Sequence, residues 1–204
     1  MVVKIVRDIA KVISNILHPY VVLSLAVAIV AYQQSPSLGI WAKWRMVALL
    51  AACFFPLIYM RARVAVIVHT TGAQVSLHSF FREQPTEMAS LACIFGIPSA
   101  TILYFLGYPS NIIATLVGVA AAALLIALVN RVYRASFHLA LFTSAVAPLI
   151  IIFGLPSLAV APFILLLGAS RYYLGEHTPL QLTTGFLLGL IVATTVFQGF
   201  GILR

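Results

Sequence analysis

The segment GASRYYLGEHTPLQLTTG, residues 168–185, gathers Ser170, Arg171, Tyr172, Tyr173, Glu176 and His177 between two apolar stretches. Upstream, NRVYRASFHLALF places Ser136 and His138 at the mouth of another apolar run. An arginine is a planar fork of fixed positive charge that suits an oxyanion. A histidine can attack or carry a proton near neutral pH. Side chains of these types suit the holding of an anion and proton-coupled chemistry on it. The plainer alternative is that they are interfacial loop residues, and Tyr172 and Tyr173 read that way, as anchors at a membrane surface.

The elements that must position them are set by composition. Of 204 residues, 63% are hydrophobic and only 8% charged, with mean hydropathy +1.11. That is far below the roughly 25% charged residues of a soluble domain, and predicts an all-α, polytopic membrane helical bundle. Apolar runs fall at 17–33, 46–62, 89–107, 110–130, 137–154, 157–170 and 180–202. They predict six to seven transmembrane helices in a single domain over 16–204, with Pro148 and Pro162 kinking their helices. Residues 1–15 place Val2, Ile5, Ile9, Val12 and Ile13 at helical spacing with Lys4, Arg7, Asp8 and Lys11 between them, which predicts an amphipathic interfacial helix. Cys53 and Cys93 sit in apolar segments and read as core residues.

Twelve Lys and Arg against four Asp and Glu give a formal net charge of +8. In a membrane protein this reflects topology rather than nucleic-acid binding. Seven crossings put Lys4, Arg7, Lys11, Arg61, Arg63, Arg82, Arg131, Arg134 and Arg171 on one face, and Lys43, Arg45 and Arg204 on the other. The first face, with the N-terminus, is therefore expected in the cytoplasm, the membrane being the cell membrane. The same face receives His69, His78, His138 and His177 with Glu83, Glu87 and Glu176. Ionisable groups at a membrane are costly unless paired or wetted, so their convergence marks a candidate site. No H-x-x-x-H or acidic cluster is present, and neither a metal nor any other cofactor is expected.

The spacing in residues 170–185 resembles motif three of the type 2 phosphatidic acid phosphatase / vanadium haloperoxidase superfamily, in its membrane lipid-phosphate phosphatase branch. That pattern is S-R-x5-H-x3-D, often with Y-L-G before the His, Pro two residues after it and Gly further on. Ser170, Arg171, Tyr173, Leu174, Gly175, His177, Pro179 and Gly185 match it. Motif two, P-S-G-H, keeps its S-x-H spacing at Ser136 and His138, with Ala135 for the Pro and Phe137 for the Gly. Motif one, K-x6-R-P, is represented only by Arg82 and Pro85 in SFFREQPTEM.

The resemblance implies a metal-independent hydrolase acting on a phosphate ester of a phospholipid or polyprenyl lipid. In it His177 is the nucleophile that forms a phosphohistidine, and His138 protonates the departing alkoxide and then activates water. Arg171, Ser136, Ser170 and Arg82 hold the phosphate. Gln181 stands where the family has the Asp that orients the nucleophile, and loss of an orienting carboxylate costs about 10⁴ in rate in related triads. Two other readings therefore stay open. One is a catalytically impaired relative serving as a subunit of a membrane complex or as a lipid head-group binder; membrane-complex partners or a homo-oligomer are the protein partners expected. The other is a small transporter built on the broken helices at Pro148, Pro156 and Pro162.

Overall fold

Thirteen consecutive residues, Phe137 to Leu149, are buried in one helix, an uncommon burden for a single element. They belong to the centre of a helical bundle described by a computed structural model over residues 2–33, 39, 58–72, 90, 94 and 96–203. In chain order the elements are α1 (Val2–Ile16), α2 (Pro19–Gln33), a helical stretch at 58–71, α3 (Ile97–Phe105) and α4 (Ser110–Val129). There follow α5 (Phe137–Phe153), a 3₁₀ turn (Leu155–Val160), α6 (Ala161–Tyr173) and α7 (Pro179–Gly199). No strand occurs among the described residues. Helix α5 is the axis: α2, α4, α6 and α7 all pack on it, α1 lies along α6, and α3 lies along α4.

The bundle buries several polar groups and exposes large apolar ones. Ser14, Ser24, Thr115, Ser136, His138, Thr143, Ser144, Ser170 and Arg171 are buried, while Phe105, Leu155 and Leu165 are at least 75% exposed. A lipid environment rewards that distribution, since only the protein interior can satisfy a polar group there. Among the described residues, Ser110–Val129, Leu155–Tyr173 and Pro179–Gly199 are long and apolar enough to cross a membrane. A fourth span results if α1 and α2, bent by 44° at their junction, cross together. Helix α5, at 17 residues, is shorter, which its enclosure by neighbouring helices allows.

Several expectations change. Residues 63–71, read as loop, continue a helix, with the Thr70 and Thr71 hydroxyls donating to the carbonyls of Val66 and Ile67. Arg61, Arg63 and His69 are exposed along it. Pro162 begins α6 rather than kinking it: it lies in the first turn, where a missing N–H costs nothing. The preceding break is made by Gly154, whose φ of +71° ends α5 in a conformation that disfavours a side chain. Cys53, Cys93, His78, Arg82, Glu83, Pro85 and Glu87 lie outside the described residues.

The connection from α4 to α5 is held without regular structure. The Asn130 side-chain oxygen accepts from the Ala135 N–H at 2.8 Å, folding residues 131–134 into a tight loop. Ala135 is only 2% exposed, and its N–H is shared with the Tyr133 carbonyl at 2.9 Å, so removing the Asn130 acceptor takes away one of two bonds that close the loop. Asn130→Ala is expected to cost about 1 kcal/mol in thermal unfolding in detergent, the net worth of one ordinary hydrogen bond, since the donor keeps the Tyr133 carbonyl.

Candidate functional site

The two segments singled out by their spacing open two parallel helices. Ser136 is the N-cap of α5, its hydroxyl accepting from the Leu139 N–H at 3.4 Å. Thr178 is the N-cap of α7 in a capping box: its hydroxyl accepts from the Gln181 N–H, and the Gln181 side-chain oxygen accepts from the Thr178 N–H at 3.0 Å. The two starts are joined directly, since the Ser136 N–H donates to the Gln181 carbonyl at 3.0 Å.

Glycines set this approach. A Cβ built on Gly185 would run into the Ser136 carbonyl oxygen, and one on Gly189 into that of Ala140. Position 185 thus faces 136 and 189 faces 140, so α5 and α7 ascend together, one turn per step. This G-x-x-x-G face lets the backbones touch. Both positive N-terminal dipole ends therefore lie at the same end of the bundle.

Helix α6 runs back to that end and delivers Arg171 in its last turn, where a cation also complements the helix dipole. The helix closes in a Schellman motif: the Glu176 N–H donates to the Arg171 carbonyl at 3.1 Å and the Gly175 N–H to the Tyr172 carbonyl at 2.9 Å. Gly175 supplies the required positive φ of +73°. The reversal brings Glu176 back over its own helix, and its carboxylate meets Arg171 Nη1 at 2.6 Å. The same nitrogen donates to the Ser14 hydroxyl of α1 at 3.1 Å. Arg171 is 2% exposed, and its Nε is buried with no hydrogen-bond partner among the described residues.

The remaining residues named by the sequence have partners of their own. His138, in the first turn of α5, is buried, and its ring meets that of His18 edge-on with centroids 5.5 Å apart. His177 is half-buried between Glu176, which holds Arg171, and Thr178, which caps α7. The Ser170 hydroxyl is already bonded to the Leu167 carbonyl of its own helix at 2.8 Å. Arg82 lies outside the described residues, so its place near the phosphate is carried only by the resemblance. Beneath the site Leu139, Phe142, Val146, Leu167 and Leu182 form an apolar floor joining α5, α6 and α7. Among the described residues no three His, Cys, Asp or Glu side chains gather to hold a metal ion.

Three contacts escaped the sequence reading, those of Ser14, His18 and Glu176. The available signal was the small pair Ala10 and Ser14, one turn apart on α1, which marks a face pressed against protein rather than lipid. Glu176 is the third. Placed in a turn rather than on a helix, it points at the arginine. Removing it leaves a buried guanidinium short of its counter-charge, so Glu176→Ala is expected to destabilise by about 3 kcal/mol. Glu176→Gln, which keeps an acceptor, is expected to lose less than half of that, both read from melting in detergent.

No family model, curated protein or solved structure matches the chain. What the geometry gives is two helix starts joined at Ser136 and Gln181 at one end of the bundle, and a buried arginine held by Glu176 and Ser14.

Proposed function

We propose that the chain is an integral membrane lipid-phosphate phosphatase of the type 2 phosphatidic acid phosphatase kind, hydrolysing the phosphate ester of a phospholipid or polyprenyl lipid. The observation that carries this reading is the junction of α5 and α7 at Ser136 and Gln181, with Arg171 arriving from α6. Phosphoryl oxygens are stabilised by helix N-termini and by arginine together. In this reading a ring nitrogen of His177 attacks phosphorus and the bond to the lipid oxygen breaks, with His138 giving that oxygen a proton. Water, deprotonated by His138, then cleaves the phosphorus–nitrogen bond and releases inorganic phosphate. Arg171 and the N–H groups of the α5 start hold the equatorial oxygens throughout.

The wider arrangement follows from the same reading. The chain crosses the cell membrane six to seven times, α1 rests at the interface on Ile5, Ile9, Val12 and Ile16, and the site opens on the cytoplasmic face beside the N-terminus. Its partners are the lipid substrate and surrounding membrane lipids, with no nucleic acid and no cofactor.

One observation favours a second reading. The Gln181 side-chain oxygen is engaged by the Thr178 N–H, so the residue at the family's Asp position serves the helix cap. A phosphatase fold lacking its orienting carboxylate suits a lipid head-group binder or a subunit of a membrane complex. Phosphate release from a panel of lipid phosphates, compared with His177→Ala, separates the two.

A further inference from the structure

Helix α1 touches the rest of the molecule along a narrow strip. Ala10 and Ser14 are 4% and 7% exposed, whereas Ile5, Ile9, Val12 and Ile16 are each at least 50% exposed. A serine in that strip adds nothing to packing that an alanine would not. Its hydroxyl is the acceptor for Arg171 Nη1, across 157 positions of sequence. One turn later the chain breaks direction, and at that corner His18 sets its ring against His138. Both residues of this corner that reach the site therefore touch one of its working side chains.

The arginine is held unevenly. Ser14 and Glu176 both engage Nη1, while Nε lies buried with no partner among the described residues. A guanidinium usually receives an oxyanion along an edge with two parallel N–H groups. Restraint at Nη1 fixes the plane and leaves the Nε edge for the incoming group.

We infer that the α1–α2 corner is a wall of the anion site, with Ser14 fixing Arg171 so that its Nε edge receives a phosphoryl oxygen and His18 fixing the ring of His138. Both are positioning residues, and the inference rests on the phosphate-site reading above. It makes the N-terminal helix part of the machinery rather than only an attachment to the bilayer.

The test uses the full chain purified in detergent, with inorganic phosphate and dioctanoyl phosphatidate as probes. Binding is followed by calorimetry, and turnover by phosphate release. Ser14→Ala is expected to weaken binding of both probes and to raise KM about tenfold, the scale of one hydrogen bond to a charged group, with kcat little changed. Ser14→Thr restores both, while the isosteric Ser14→Val does not, a comparison that holds even where Ser14→Ala folds poorly. His18→Ala is expected to lower kcat about tenfold with KM kept, a modest cost for a misplaced catalytic group, and His18→Phe to restore it. Wild-type binding and turnover left unchanged by Ser14→Ala would overturn the inference and leave the phosphatase standing. Weaker binding of phosphatidate alone would place the defect in the lipid groove and equally overturn it. A folded wild-type chain that neither binds nor hydrolyses the probes would overturn both readings.

Discussion

Replacing His177 by Ala is expected to abolish phosphate release from a lipid phosphate, lowering turnover by at least about 10⁴-fold, the loss seen when a catalytic nucleophile is removed. The substitution is mild for the fold. His177 is half-buried, outside both flanking helices, and the cap of α7 is made by Thr178 and Gln181 rather than by the imidazole. Unchanged melting beside vanished activity would therefore assign the loss to chemistry. His138→Ala should fall less far, by about 10²–10⁴, because a general acid is partly replaced by water. Release equal in wild type and His177→Ala would rule out the phosphohistidine route. A wild-type protein that is folded and silent on every lipid phosphate would favour the head-group binder or subunit, and co-purification would then identify what it holds.

Gly185→Val is expected to prevent assembly of the bundle, giving aggregated protein on size-exclusion in detergent. The added carbon atoms would meet the Ser136 carbonyl, which is backbone and cannot rotate away. Relief requires α5 and α7 to separate, which breaks the Ser136–Gln181 bond and opens the floor of Phe142, Leu167 and Leu182. Gly185→Ala is the graded case. Overpacking costs up to about 3 kcal/mol, and the gain in helix propensity returns about 1 kcal/mol. Gly168→Ala is the control: its methyl would find only Leu139 Cδ2, at an ordinary 4.0 Å. That variant should melt at or slightly above the wild-type temperature. A stable, monodisperse Gly185→Val protein would refute the close α5–α7 contact.

What the sequence disclosed of this site was what is local in the chain. The end of α6, the Gly175 reversal, His177 and the start of α7 all fall within residues 170–185, where spacing alone fixes geometry. Ser136 was legible for the same reason, as an N-cap directly before an apolar run. The facing of Gly185 with Ser136, and the arrival of Ser14 and His18, depend on contacts between distant segments, and no local pattern encodes them. Pro162 was misread because a proline is disruptive only inside a helix, and the start of α6 is set by the Gly154 break upstream. The helix at 58–71 outran its apolar run because hydropathy reports lipid contact, whereas backbone hydrogen bonding continued as far as the Gly72 N–H, which donates to the Val68 carbonyl.

The bond between Ser14 and Arg171 also orders the birth of the protein. Synthesis at roughly 5–20 residues per second separates the emergence of the two residues by about 8–31 s, given the 157 positions between them. Over that interval Ser14 has no Arg171 to meet, while five further helices among the described residues are made. Arg171 then emerges with Glu176 only five residues behind it, so its charge finds a counter-ion within about a second at the same rates. The ion pair with Glu176 is thus local in the chain and available at once, whereas the bond to Ser14 can form only when the two distant helices meet.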